Sequence, residues 1–338
     1  MRWENLKVEH KDGARLPGYK DPANVRTFDA PEALGTRFYE VNARSALNKV
    51  PKQSRMPFRW TINPYRGCTH ACTYCFARPS HTYLDLNARE DFEREIVVKV
   101  NVPELLRAEL ARPSWKREHV ALGTNTDPYQ WVEGRYELMR GIWEAMRDFS
   151  NPCSILTKSP LLLRDLELMK EISERTEFGA SLSVPTLDEK AWRATEPHTP
   201  HPRKRLEAVG ELNRAGIRTG VLVAPLIPGV NDALEQVEEI LELAADAGAA
   251  NVTGIGLHLR GEVRDIWFDW LRDNRPDLIP RYEELYARGA YLPTEERERL
   301  GALTKRGRRD EPTGFRGRDP APSRRSTEPA QPAQPKLF

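Results

Sequence analysis

The sequence predicts an α/β fold built as a partial (βα)6 TIM-like barrel, and three observations carry that prediction. From residue 119 onward, short β-branched runs recur about every thirty-five residues, the spacing of βα repeats. Between them lie amphipathic stretches whose apolar residues fall three and four apart. Six such units are legible where a closed barrel needs eight, so one side is expected to stay open and admit a bulky substrate.

Taken in order, residues 1–55 are rich in Pro, Asn and charge with little periodicity, and an irregular extension around the outside is expected. The barrel core is expected over 56–260. Its first strand runs from Phe58 to Ile62, followed by a cysteine-bearing loop and a helix near Val102 to Ala111. Further strands are His119 to Gly123, Pro152 to Thr157, Phe178 to Val184, Arg218 to Ala224 and Asn251 to Leu257. Tyr136, Met139, Ile142, Trp143, Met146 and Phe149 make one helical stripe, with Trp143 assigned to the core. Leu206, Val209 and Leu212 precede Gly216, and Leu234, Val237, Ile240, Leu241 and Ala244 precede Gly248; both glycines are placed as C-terminal caps. Ile266, Trp267, Trp270 and Leu271, then Tyr282, Leu285 and Tyr286, mark packing helices of an extension over 261–304. Residues 305–338 turn to Arg, Pro, Gly, Ser and Gln, too polar to offset the entropy of ordering, and a disordered tail is expected.

Composition narrows the function classes. With 338 residues and 39% apolar content the chain can bury a sizeable core. Lys plus Arg total 52 against 50 acidic residues, so a net charge of +2 provides no global field for a polyanion or a membrane surface. No stretch reaches the roughly 18 apolar residues of a membrane-spanning helix. Nor does the Met1-Arg2-Trp3-Glu4-Asn5 start read as a secretory signal, so a soluble, cytoplasmic protein with no membrane partner is expected. Of the four cysteines three are clustered and Cys153 stands alone, which is no disulfide framework and suits a reducing compartment.

The clustered three, Cys68, Cys72 and Cys75, follow Asn63-Pro64-Tyr65-Arg66-Gly67 with Cys-x3-Cys-x2-Cys spacing. Thiolates are soft donors that suit zinc or iron–sulfur clusters, and a closed structural site needs four ligands. Three can hold three corners of a 4Fe-4S cubane and leave the fourth iron open to chemistry. The alternative is a zinc site completed by His70 or His81.

In parallel α/β folds ligands gather at the carboxyl ends of the strands, and here those ends are polar. One reads Gly123-Thr124-Asn125-Thr126-Asp127-Pro128-Tyr129-Gln130, the next Thr157-Lys158-Ser159. Ser181 and Ser183, two apart on one strand face, suggest a ligand, the alternative being hydroxyls that satisfy nearby backbone. Arg203, Lys204 and Arg205 crowd the first turn of a helix, where positive charge opposes the macrodipole. They are expected to receive a phosphate or carboxylate of the substrate, against the alternative of a solvated face.

The cysteine spacing, with aromatic Tyr74 before the last cysteine, resembles the signature of radical S-adenosylmethionine enzymes. The segments Asn63 to Cys68, Gly123 to Tyr129, Thr157-Lys158-Ser159 and Ala224-Pro225-Leu226-Ile227-Pro228-Gly229 are similar to the spore photoproduct lyase-like, or DNA-repair-photolyase-like, branch over about residues 55 to 260. The resemblance implies a 4Fe-4S cluster on Cys68, Cys72 and Cys75. It implies S-adenosylmethionine chelated at the open iron, and a 5'-deoxyadenosyl radical that abstracts hydrogen from a substrate the sequence does not name. It further implies Tyr74 near the adenine, Thr124 and Asn125 by the methionyl portion, Lys158 paired with the cofactor carboxylate, and Ser181 or Ser183 facing the ribose. A reducing partner such as flavodoxin or ferredoxin goes with it, and nucleic acid is one candidate substrate. In one respect the chain departs from the lyase, which returns hydrogen to its product from a cysteine near the end of the second strand. This chain has Gly123 and Thr124 there. Two other readings stand beside the leading one: repair of a nucleic-acid lesion, and a non-catalytic module using zinc or a cluster structurally.

Overall fold

In a computed structural model of the protein, residues 6–7, 23–52, 54 and 56–305 are described. The strands are β1 (Leu6–Lys7), β2 (Asn24–Phe28), β3 (Arg37–Val41), β4 (Asn48–Lys49), β5 (Trp60–Ile62), β6 (Tyr65–Arg66), β7 (Glu95–Lys99), β8 (Val120–Leu122), β9 (Cys153–Thr157), β10 (Phe178–Ser183), β11 (Thr219–Leu226) and β12 (Val252–Gly256). The helices are α1 (Glu90–Arg94), α2 (Val102–Leu110), α3 (Glu133–Tyr136), α4 (Leu138–Asp148), α5 (Leu166–Arg175), α6 (Glu189–Thr195), α7 (Pro202–Arg214), α8 (Leu234–Asp246), α9 (Val263–Asn274), α10 (Ile279–Leu285) and α11 (Thr294–Lys305).

Strands β5, β8, β9, β10, β11 and β12 pair in chain order and all in parallel, the arrangement of a partial (βα)6 barrel. The register runs Trp60 to Val120, Val120 to Cys153, and Cys153 to Phe178, which sets the first residues of four strands level. All three residues of β8 are buried, as expected of a parallel strand covered on both faces. Short β4 adds antiparallel to the outer side of β5. The main apolar core lies between this sheet and its helices; Leu122, Ile155, Leu182 and Val223 meet Ile142, Ile172, Val209 and Ile240 there.

The six expected barrel strands are present. The helix expected from Tyr136 to Phe149 is shorter: Glu137 adopts a positive φ of 51° and splits α3 from α4. Tyr136 therefore leaves the stripe, packs beside Phe28 in a second core, and donates from its hydroxyl to Glu40 Oε1 at 2.9 Å. Trp143 is fully buried in the main core. Gly216 and Gly248 follow α7 and α8 with φ of 82° and 67°, the left-handed caps the sequence asked for.

The irregular N-terminal extension expected over 1–55 needs correction. Within it, β2 and β3 form an antiparallel pair, and β3 joins β7 in parallel, in a second sheet of order β1-β2-β3-β7-β6. Phe38 and Val41 are buried there against Ile96 and Val97. These strands are short and carry charges at Arg26, Arg37 and Glu40, which masks alternation in the sequence; tertiary pairing supplies the order that local pattern did not. Residues 261–304 carry α9, α10 and most of α11, with Trp267 stacked on Trp270 at 4.5 Å and Tyr282 on Tyr286 at 5.8 Å. The tail expected to be disordered lies, from residue 306, outside the described residues. Among the described residues no helix is long and apolar enough to cross a membrane.

Candidate functional site

The carboxyl ends of β5, β8, β9 and β10 carry the polar segments singled out in the sequence, and the cysteine loop lies among them. After β6 the chain reaches Gly67 at φ 85°, where a Cβ would stand 2.8–2.9 Å from Ile96, His81 and the Phe92 carbonyl. Only glycine fits, and it lets Cys68 N donate to Phe92 O at 3.0 Å. Tight turns follow: Ala71 N to Cys68 O, Cys75 N to Cys72 O and Arg78 N to Cys75 O.

Four side chains hold this loop. Arg78, 2% exposed, donates from Nε to Cys72 O at 2.9 Å and from Nη2 to Ala71 O at 3.0 Å, and pairs with Glu93. Gln130 accepts from Thr69 N at 2.9 Å and donates to Gly67 O at 3.2 Å, while Thr126 Oγ1 donates to the same carbonyl at 2.6 Å. Asp127 accepts from Thr157 Oγ1 (2.6 Å), Lys158 N (2.8 Å) and Tyr129 N (2.9 Å), with His70 Nδ1 at 3.4 Å. Burial alone would raise its pKa, but His70 and the donated hydrogen bonds outweigh it and hold the carboxyl at about 2.

Cys68, Cys72 and Cys75 are free thiols. Burial pushes Cys68 well up and Cys72 to about 12; it also raises Cys75, against the pull of the Ala77 and Arg78 N–H groups. Thiols in such surroundings stay protonated until a metal cation takes the proton's place, which is the donor chemistry an iron–sulfur cluster needs. N–H groups directed at a ligating sulfur are a known lever on cluster potential. Of the two histidines weighed for a zinc site, His81 donates from Nε2 to Glu95 O at 2.9 Å and His70 Nδ1 lies 3.4 Å from Asp127.

Beside the loop stands a cradle the sequence revealed only in part. Tyr74, 7% exposed, donates its hydroxyl to Glu196 Oε1. Lys158 Nζ lies 5.7 Å from the Tyr74 ring centroid, 3.2 Å from Ser183 Oγ and 3.5 Å from Glu196 Oε1. Burial is the largest influence and works against the Lys158 charge, yet Glu196, Cys72 and Asp127 together outweigh it and its pKa is raised. Ser181 and Ser183 share one face of β10, with Ala180 and Leu182 on the other face in the main core. Ser183 Oγ also donates to Ala224 O at 2.9 Å. Thr124 Oγ1 and Asn125 N both donate to Asn63 Oδ1, at 3.4 and 3.1 Å, which ties the second strand's loop to the end of the first.

The cations 203–205 separate. Arg203 pairs with Glu239 at 2.5 Å and Lys204 with Glu207 at 2.7 Å, both at the surface. Arg205 turns inward, fully buried: it donates to Pro200 O, Ser183 O, Thr199 Oγ1 and Glu196 Oε2, the last at 2.6 Å. Its guanidinium is spent inside the protein, so the anion-receiving role expected of Arg205 is corrected to a structural one. Sequence reasoning missed Arg78 and Glu196 as site residues and named Gln130 only as the end of a polar strand-end segment. The available signals were faint: an arginine three after Cys75, and a glutamate in the loop ahead of the basic turn.

Residues 62–244 match the family model described as the Radical SAM superfamily. An uncharacterised protein of Mycobacterium tuberculosis is 48% identical over 304 residues, 89% of each chain. Among solved structures, a spore photoproduct lyase variant superposes with a TM-score of 0.60 at 17% identity, covering 89% of this chain and 85% of that one. Another variant of that lyase, solved with bound AdoMet and dinucleoside spore photoproduct, gives 0.57 at 16% identity over 80% of this chain and 78% of that one. At these identities the structural likeness is one of fold.

Proposed function

This chain belongs to the radical SAM superfamily, and from that premise we propose that it is an enzyme that binds a 4Fe-4S cluster and S-adenosylmethionine to abstract hydrogen from a substrate. The observation that carries the reading is the loop of three free thiols, Cys68 and Cys72 buried and Cys75 half-buried, pinned by Arg78 and Gln130 and flanked by the Lys158, Ser183 and Tyr74 cradle. When bound, the reduced cluster and its cofactor supply reductive carbon–sulfur cleavage and so a 5'-deoxyadenosyl radical. The chain's own residues bind and orient. Cys68, Cys72 and Cys75 are the ligands, and Lys158 presents a held ammonium to the cofactor carboxylate. Thr124 and Asn125 line the methionyl side, Ser181 and Ser183 the ribose side, and Tyr74 the adenine. The reading implies a cytoplasmic setting and electrons from a flavodoxin or ferredoxin.

Hydrogen abstraction in general is better supported than spore photoproduct lyase-like repair of a nucleic-acid lesion. Gly123 has φ 80°, and a Cβ there would meet the Leu156 carbonyl oxygen at 1.9 Å, so no thiol side chain stands at that position. Cys153 begins β9, at the end remote from the cradle, and is fully buried. The test is anaerobic reconstitution with iron and sulfide, then reduction with dithionite in the presence of S-adenosylmethionine. Production of 5'-deoxyadenosine that disappears in Cys68→Ala, Cys72→Ala and Cys75→Ala supports the reading; one zinc per chain with no sulfide after anaerobic purification overturns it.

A further inference from the structure

We propose that Glu196 is a positioning residue of the cofactor cradle, fixing Tyr74 of the cysteine loop and Lys158 of the β9 end against one another. The inference rests on the function proposed above and extends it to a residue outside the short motifs on which the family resemblance was drawn.

The argument begins with burial. Glu196 exposes no surface, and a carboxylate so placed persists only when its oxygens are matched by donors. Both are. Oε2 accepts from Arg205 Nη2 at 2.6 Å and from Thr199 Oγ1 at 3.3 Å; Oε1 accepts from the Tyr74 hydroxyl and faces Lys158 Nζ at 3.5 Å. Arg205 is itself anchored on two backbone carbonyls, Ser183 O and Pro200 O, both at 2.9 Å. One oxygen is thus braced by a guanidinium bolted to the end of β10, and the other holds the two side chains that border the cysteine loop. The backbone repeats the link one residue earlier, where Thr73 N donates to Thr195 O at 3.0 Å.

Lys158 is held loosely enough to act. Its ammonium has three donors; Ser183 takes one at 3.2 Å, and the 3.5 Å approach to Glu196 is an ion pair rather than a short hydrogen bond. Glu196 therefore sets where the ammonium stands while leaving it capacity to donate to an arriving carboxylate. A merely structural Arg205–Glu196 pair would need only Oε2. The Oε1 contacts are what assign the positioning role.

The experiment uses the full chain loaded with iron and sulfide, and reads S-adenosylmethionine affinity by equilibrium dialysis together with the change the ligand causes in the electron paramagnetic resonance of the reduced cluster. Glu196→Asp keeps the charge Arg205 requires but withdraws the carboxylate from Tyr74 and Lys158 by one methylene. Tyr74→Phe removes a single oxygen from the other side, and carries the test alone should Glu196→Asp fail to fold. At unchanged iron content, each is expected to weaken binding about tenfold and blunt the spectral change, with the double variant no worse than the weaker single. Affinities within twofold of the parent, or losses that simply add, overturn the positioning role while leaving the proposed function standing. A parent protein that holds its cluster but binds no S-adenosylmethionine overturns both.

Discussion

Arg78 Nε donates to the carbonyl of Cys72 at 2.9 Å, so the cysteine loop is held through its backbone by a side chain that has 2% of its surface exposed. The same guanidinium reaches Ala71 O, Ala88 O and Arg89 O and pairs with Glu93. Its plane lies over Phe92, 5.3 Å from ring centroid to Cζ. A fork with five fixed donors suits this set of carbonyls; an ammonium reaches fewer of them.

Arg78→Met is accordingly expected to destabilise the protein by about 2–4 kcal/mol, because several carbonyls and Glu93 lose their partner together. Urea unfolding of the unloaded protein checks the stability. Iron content after reconstitution checks the loop, and is expected to fall even at temperatures where the variant stays folded. Full iron loading in a stable Arg78→Met protein would falsify the account of the loop.

Gly123 is expected to tolerate no side chain. Gly123→Ala combines a φ of 80° with a Cβ 1.9 Å from Leu156 O, a backbone atom of β9 that cannot swing aside. A loss of at least about 3 kcal/mol in chemical denaturation, or failure to accumulate as folded protein, is the expected outcome. Wild-type stability in that variant would mean that β8 and β9 do not approach as closely as described.

Lys99 gives a pH dependence. Its ammonium donates to Asn63 O at 2.9 Å, while burial first and Arg66 second hold its pKa at about 8. Because the folded-state pKa of this base is depressed from 10.5, the unfolded chain binds more protons between about pH 8 and 10.5, and the Lys99 contribution to stability rises with pH across that window. Lys99→Met removes the confined charge. The variant is expected to exceed the parent by about 1–2 kcal/mol at pH 7, allowing for partial solvent access, with the gap closing toward pH 10. Paired urea titrations at the two pH values measure it; a gap that widens with pH contradicts the assignment.

The four cysteines should separate cleanly. Cys68→Ala, Cys72→Ala and Cys75→Ala are each expected to lose most bound iron on reconstitution. Cys153→Ala is expected to retain it and to lose only about 1–2 kcal/mol for the small cavity left at the start of β9. Burial alone raises the Cys153 thiol pKa, whereas those of the other three also respond to their charged neighbours. Iron loss in Cys153→Ala comparable with the other three would undo this division.

Much of the barrel was legible because parallel strands and their helices write their burial locally. Val120-Ala121-Leu122 is an uninterrupted apolar run, and Val237, Ile240, Leu241 and Ala244 repeat at helical spacing ahead of a glycine whose φ is 67°. The N-terminal strands wrote no such pattern. β2 has one buried residue, Phe28, and β3 mixes Arg37 and Glu40 with Phe38 and Val41, so β3 takes its order from pairing with β7 more than fifty residues away, and β2 from pairing with β3.

The candidate site divides along the same line. The chain by itself determined the Cys68, Cys72 and Cys75 spacing, the lysine at the end of β9 and the serines two apart on β10, because each is a relation among near neighbours. Tertiary structure alone decided that Glu196 meets Tyr74 across 122 residues of sequence. It alone turned Arg205 into the protein while Arg203 and Lys204 stayed at the surface. A helical turn fixes which way consecutive side chains point, but which of them finds a buried carboxylate depends on what the rest of the fold packs against that face.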